Sequence, residues 1–161
     1  MPLSLTTQRL TLQHWTDLDA RWYRELARAR GGTVPTLGEA TDRLAGIVER
    51  DRRSGLALLT VRRRQERDFV GYCGVVAGRS TLEEPELVFE LFPEARQHGY
   101  ATEAATAIVG EVARTGRQRI WATVRSWNTP SFRVLDKLDF RRRHSLIDDR
   151  GELVWLSRDL R

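Results

Sequence analysis

Two stretches of this chain place groups that could do chemistry at the start of a helix. The first is Arg96-Gln97-His98-Gly99-Tyr100-Ala101-Thr102-Glu103. A strand-like run ends at Pro93, a short loop with Gly99 follows, and a helical pattern begins at once. The first N–H groups of a helix have no partner inside it, and the dipole there favours negative charge. Such a turn can hold a pyrophosphate when no side chain blocks the approach, and Gly99 and the small Ala101 meet that need. Strand-glycine-helix turns that bind nothing are also common in α/β proteins, so both readings stand on these residues alone. The second stretch is Asn128-Thr129-Pro130-Ser131, followed by residues 132–140. Asn128 is a helix cap by type, and Pro130 lies in the first turn, where a missing N–H is harmless. Ser131, one turn inside, is either a free hydroxyl for hydrogen bonding or plain helix surface.

Other reactive residue types offer less. Cys73 lies in an apolar strand-like run with no partner His by pattern, so it reads as a small buried hydrophobe rather than a nucleophile. His14 and His144 have no partners by pattern, and His98 falls inside the phosphate-type loop. No His, Cys and carboxylate cluster has the spacing of metal ligands.

The elements that must position these groups follow from periodicity. Residues 3–13 alternate Leu3 and Leu5, then Leu10 and Leu12, against polar residues, as a half-buried strand does. Asp17 caps a helix to about Arg30, with Leu18, Trp22 and Leu26 on one face, and Gly31-Gly32 stops it. Thr36 and Glu39 form a capping-box pattern for a second helix carrying Ala40, Leu44 and Ile47 or Val48 inward and ending at Gly55. Strands are expected over 56–62, 69–78, 86–92, 119–125, 140–147 and 152–160, and helices over 100–115 and 128–138. The 148–151 run, Asp-Asp-Arg-Gly, is a strong turn signal. The order β-α-α-β-β-β-α-β-α-β-β implies a mixed sheet with helices on both faces.

Composition bounds the class. The chain has 161 residues, 40% hydrophobic and 30% charged, as expected for one soluble domain spanning 1–161. No secretory signal pattern opens it, and the longest apolar run, near 69–77, is far short of the roughly 20 residues of a bilayer span. With a single cysteine and no such signals, a cytoplasmic location is expected. Net charge is +5, carried by arginines except for Lys137, with clusters at 62–64 and 141–143. These are dispersed among acidic residues without interleaved aromatics, so they read as a solvated basic face rather than a nucleic-acid surface.

Taken together, the two helix starts resemble the GNAT superfamily of acetyltransferases, and within it the RimJ/RimL-like branch of ribosomal-protein N-acetyltransferases. Thr7-Gln8-Arg9-Leu10-Thr11-Leu12 is similar to the opening T-x-R-L-x-L strand. Glu86-Leu87-Val88-Phe89-Glu90-Leu91-Phe92-Pro93-Glu94 is similar to E-I-G-Y-x-L-x-P-E. Residues 96–101 match the acyl-CoA signature R/Q-x-x-G-x-G/A, and 128–140 resemble N-x-x-S-x-R-V-L-E-K-L-G-F. Four motifs in register span most of the chain; only the two N-terminal helices lack a pattern.

The resemblance implies a mixed, mostly antiparallel sheet of about seven strands with four helices on its two faces. It also implies a parallel pair, 86–92 and 120–125, that splays apart to admit the pantetheine arm of acetyl-CoA. The pyrophosphate would meet the amides of Gln97, His98, Gly99, Tyr100, Ala101 and Thr102, with Phe92 and Arg96 beside the loop. Asn128 and Ser131 would meet the arm, and Arg133 and Lys137 the ribose-phosphate end. Glu86 aligns with the family's candidate base, acting directly or through water, with Glu83, Glu84 and Glu90 as substitutes. Many members use a tyrosine near the departing thiolate; that position is Leu135 here, and Ser131 is the replacement. Asp139 stands where glycine is usual, in a turn that Asp tolerates. Val88 replaces a common glycine in the splayed strand, which could alter a bulge there. The implied activity is direct acetyl transfer to a primary amine, an N-terminal α-amine or a small molecule, with no metal. A non-catalytic acyl-CoA sensor or an RNA- or protein-docking module is the alternative. Nothing fixes the oligomeric state, and a homodimer stays open.

Overall fold

The computed structural model describes residues 1–2 and 4–161; Leu3, expected in the first strand, lies outside them. Its elements are β1 Ser4–Thr6, β2 Leu10–Gln13, α1 Ala20–Ala29, α2 Leu37–Ser54, β3 Leu58–Arg63, β4 Phe69–Val76, β5 Glu86–Leu91, α3 Tyr100–Arg114, β6 Arg119–Arg125, α4 Thr129–Lys137, β7 Arg141–Asp148 and β8 Gly151–Asp159. The eight strands form one sheet in the order β1-β2-β3-β4-β5-β6-β8-β7. Every neighbouring pair is antiparallel except β5 and β6.

The eighth strand arises from the first segment. Its apolar alternation slips between Leu5 and Leu10, and there the chain turns back on itself. Thr7 N–H donates to Leu10 O at 2.9 Å, and Thr7 Oγ1 accepts from Leu10 N–H at 3.1 Å. The segment becomes a hairpin with Leu5 opposite Leu12.

Both N-terminal helices are set by their caps. At α2 the expected box forms: Glu39 N–H donates to Thr36 Oγ1 at 3.1 Å and Thr36 N–H to the Glu39 carboxylate at 2.9 Å. Gly55 ends the helix with a left-handed φ of 70°. Before α1 the cap is Thr16, not Asp17; its N–H donates to Asp19 at 2.9 Å, and residues 17–19 form a 3-10 turn. That tighter turn puts Leu18 out of phase with Trp22 and Leu26, so Leu18 is 83% exposed and does not join the apolar face.

Strand alternation assigns the two faces of the sheet. Leu87 and Leu91 of β5 and Ile120, Ala122 and Val124 of β6 pack with Ala105, Ile108 and Val112 of α3 and Phe132 and Leu135 of α4. Against the opposite face, Trp15, Leu26, Leu44 and Phe69 form a second core beneath α1 and α2. Glu86, Val88 and Glu90 share a side of β5 opposite to Leu87 and Leu91, and Thr123 and Arg125 lie on that same face of β6. Among the described residues no helix is long and apolar enough to cross a membrane.

Candidate active site

The ladder between β5 and β6 has a single rung. Glu86 stands opposite Trp121, and Trp121 N–H reaches Pro85 O at 2.8 Å. Beyond it the two strands diverge, and among the described residues each pairs only with its outer neighbour, which leaves their facing main-chain groups without a strand partner. A cleft of about 320 Å³ fills the gap. On one side of the sheet Phe89, Ala122, Val124, Asn128, Ser131 and Leu135 line it; on the other, Tyr72, Arg79, Glu86, Val88, Thr123, Arg125, Arg150 and Leu153 do. The register from β4 to β5 runs unbroken through Val88, so the valine brings no bulge there.

At the far end of β5 the chain makes a 3-10 turn, Pro93–Ala95, and enters α3 through Gly99, whose φ is 79°. The first helical bond is Glu103 N–H to Gly99 O at 3.0 Å, so the amides of residues 97–102 precede it. Arg96, Gln97 and His98 are exposed, and Gln97 is also left-handed, at φ 64°. A run of such donors at a helix start suits a diphosphate. Phe92 sits below, its ring 5.9 Å from that of Phe69, its N–H on Val70 O and its carbonyl under Ala95 N–H.

The second predicted cluster lies at the cleft. Asn128 caps α4, its Oδ1 accepting from Ser131 N–H at 3.4 Å. Among the described residues, neither the Asn128 NH2 group nor the Ser131 hydroxyl donates within the chain. Arg133 and Lys137 are exposed, one turn apart on α4. Leu135 is wholly buried. Asp139 adopts φ 61°, keeping the turn into β7 in which Phe140 N–H returns to Leu135 O at 3.0 Å.

Glu86 is only 3% exposed and tightly held. Its Oε2 accepts from Arg79 N–H at 2.8 Å, its Oε1 accepts from the Thr123 hydroxyl, and the Arg79 guanidinium lies 3.9 Å from Oε1. A Cβ on Gly78 would fall 2.2 Å from Oε2, so glycine makes room for the carboxylate. Of the possible substitutes, Glu84 accepts from the Trp121 indole at 2.7 Å, while Glu83 does not line the cleft. Glu90 lies farther along β5, where burial raises its pKa against the pull of Arg30, 3.6 Å away. Burial also pushes the Cys73 thiol up, in keeping with an inert hydrophobe. His144 stacks on Trp155, ring centroids 5.3 Å apart, away from the cleft lining.

Several site residues were not legible in advance. Arg79, Thr123 and Tyr72 reach the cleft from three different strands or loops, and only strand alternation could have hinted at Thr123. Arg9 was visible as part of the T-x-R-L motif, but its task was not. Its Nε donates to Glu103 at 2.7 Å, its N–H to the same carboxylate at 2.8 Å, and its Nη1 to His98 O at 2.8 Å. Thr7 adds a hydroxyl to Glu103 at 2.6 Å, and the guanidinium lies over the Tyr100 ring at 4.7 Å. The N-terminal hairpin thereby braces the loop at residues 97–102.

That brace has a pH signature. Burial alone would raise the Glu103 pKa, but the bonds from Thr7 and Arg9 outweigh it and hold it below its ordinary value of 4.5. A carboxylate depressed in the folded state stabilises above its unfolded pKa, and loses that contribution as pH falls through the folded one. Glu103→Gln is therefore expected to lower stability at pH 7 by about 1–2 kcal/mol. In urea titrations the gap to wild type should be constant above pH 5.5 or so and close as the pH drops below about 4.5.

Comparison with known proteins gives the same picture. The chain matches the sequence profile of the acetyltransferase (GNAT) domain over residues 9–141. No curated protein sequence is a significant match. Among solved structures, a Bordetella pertussis protein assigned to the GnaT family of acetyltransferases is 23% identical with a TM-score of 0.84, covering 98% of this chain and 99% of that one. The ribosomal-protein-S5-alanine acetyltransferase from Vibrio fischeri is 15% identical with a TM-score of 0.83, covering 98% and 97%. RimL, a ribosomal alpha-N-protein acetyltransferase solved in complex with coenzyme A, is 12% identical with a TM-score of 0.82, covering 98% and 96%. At these identities the structures speak for the fold, while the profile, matched over most of the chain, speaks for the family. The splayed strand pair, the open amides before α3 and that profile lead to one assignment: the chain belongs to the GNAT family of acetyl-CoA-dependent N-acetyltransferases.

Proposed function

We propose that this enzyme acetylates the α-amine of a polypeptide N-terminus, in the manner of the RimJ/RimL-like branch, acting as one domain in the cytoplasm. The observation that carries the acceptor class is the charge of the cleft. On the face opposite α3 and α4 it is lined by Arg79, Arg125 and Arg150, and these three guanidinium groups meet two carboxylates, Glu86 in the lining and Asp148 paired with Arg125, so the mouth keeps a net positive charge. A polyamine or other polycation would meet more repulsion at such a mouth than a peptide whose single α-amine loses its charge near neutral pH. The family motifs and the likeness in fold to ribosomal-protein acetyltransferases support the same branch.

The residues present fit acetyl-CoA. Bare amides at 97–102 hold its pyrophosphate, with Arg96 alongside and Phe92 propping the loop. The unpaired edges of β5 and β6 and the Asn128 amide orient its pantetheine arm, and Arg133 and Lys137 face the ribose-phosphate end. When bound, it supplies a thioester carbonyl open to attack by a neutral amine. The chain then has one proton and one leaving group to manage. Glu86 is the base that receives the proton from the attacking nitrogen as the N–C bond forms. The Ser131 hydroxyl donates a hydrogen bond to the sulfur as the C–S bond breaks and its electron pair stays on the thiolate, which takes its proton from solvent. Direct attack needs no covalent enzyme intermediate, so holding the two substrates together supplies much of the acceleration.

The test is thiol release from acetyl-CoA with matched acceptors: peptides with free or blocked N-termini, free amino acids, and spermidine. Free-N-terminus peptides should give the highest kcat/KM, and blocked ones none. A clear preference for spermidine would refute the acceptor class. Ser131→Ala should lower kcat by about 10-fold or more while leaving coenzyme A affinity near wild type.

A further inference from the structure

Glu86 ends a hydrogen-bonded path that begins in the cleft, but it is poorly placed to meet an amine itself. Both its oxygens are engaged, by Arg79 N–H and the Thr123 hydroxyl, and almost none of its surface is exposed. Its carboxylate also fills the space a side chain at Gly78 would occupy, so no rotation toward the cleft is available without breaking these contacts. Thr123 differs. It is half-buried, lines the cleft on the face opposite α3 and α4, and donates its only hydroxyl proton to Glu86 Oε1. Thr123 Oγ1 itself accepts a long bond from Arg79 Nη1 at 3.3 Å, which leaves one of its lone pairs for another donor.

We propose that Thr123 is a catalytic proton relay, the group that touches the acceptor amine and passes its proton to Glu86. The proposal rests on the reading of Glu86 as the base, and it replaces both direct contact and a bridging water. As the nitrogen bonds to the carbonyl carbon, its proton moves to Thr123 Oγ1 while the Thr123 proton moves to Glu86 Oε1. The electron pair of the C–S bond leaves on sulfur, which Ser131 meets. Thr123 ends as a neutral hydroxyl, and Glu86 as a carboxylic acid that returns its proton to water. Arg79 Nη1, near both oxygens, limits the build-up of negative charge on Oγ1 during the transfer.

The experiment compares wild type with Thr123→Val, Thr123→Ser, Glu86→Gln and the Thr123→Val/Glu86→Gln pair. It follows thiol release from saturating acetyl-CoA, with the peptide of highest kcat/KM from the panel above and with water alone as acceptor. Thr123→Val keeps the shape and removes the hydroxyl, so kcat should fall about 100-fold with the KM for acetyl-CoA little changed. Thr123→Ser should recover most of the rate, and the double variant should be no slower than Glu86→Gln alone, because the two groups act as one path. A Thr123→Val enzyme within about threefold of wild type, beside a crippled Glu86→Gln, overturns the relay and leaves the base standing. A fully active Glu86→Gln, or a wild type that releases no thiol with any acceptor, overturns the base reading and the relay with it. Thermal melts and coenzyme A titrations accompany each variant; should Thr123→Val not fold, Thr123→Ala gives the same comparison.

Discussion

Glu86→Gln is expected to bind acetyl-CoA as wild type does and to lose roughly 10²–10⁴ in kcat. The amide matches the carboxylate in shape, so the cleft should keep its form. Its oxygen can still accept from Arg79 N–H, now at 2.8 Å, and its NH2 can face the Thr123 oxygen. The Arg79 guanidinium loses a partner that stands 3.9 Å away, but it is half exposed and water replaces that loss cheaply. What the amide cannot do is take up a proton, and that is the property an amine attacking a thioester requires of its surroundings. Because the amides proposed to hold the diphosphate lie at the opposite end of β5, cofactor affinity is a separate readout. Coenzyme A titration with steady-state thiol release checks both. A kcat within a few-fold of wild type would remove Glu86 from the mechanism.

The second large effect is on cofactor capture. Gly99→Val should weaken coenzyme A binding by about 2–3 kcal/mol, roughly 30- to 150-fold, as the amides of 97–102 lose their common aim. Gly99 has φ 79°, a conformation that a β-branched residue adopts only with strain of order 1–3 kcal/mol. A Cβ there would also sit 3.3 Å from Arg9 Nη2, disturbing the guanidinium that ties the loop to Glu103. Gly110 supplies the control. It lies within α3 with nothing near its missing Cβ, so Gly110→Ala should leave binding intact and raise stability by about 0.5–1 kcal/mol. Isothermal titration with coenzyme A distinguishes the two, and equal affinities would mean that the loop is not where the diphosphate sits.

By itself the sequence determined those features whose physics is local. The Thr36–Glu39 box, the stop at Gly55, the Asn128 cap and the left-handed Asp139 each depend on residues within one turn of one another. The open amides at the head of α3 are of the same kind, which is why a turn with free N–H groups could be read from Gly99 and its neighbours. Local phase also set the limits of that reading. A slip in alternation at residues 7–9 made two strands from one, and a 3-10 turn at 17–19 turned Leu18 out to solvent. Only the tertiary structure decided what surrounds Glu86. Thr123 reaches it across the single rung between β5 and β6, with α3 intervening in the chain, and Gly78 and Arg79 close in from the preceding loop. Arg9 and Glu103 likewise meet although 94 positions separate them in the chain. Short-range bonds follow from neighbouring residue types, whereas these contacts exist only because a buried sheet fixes which strands lie side by side and in what register.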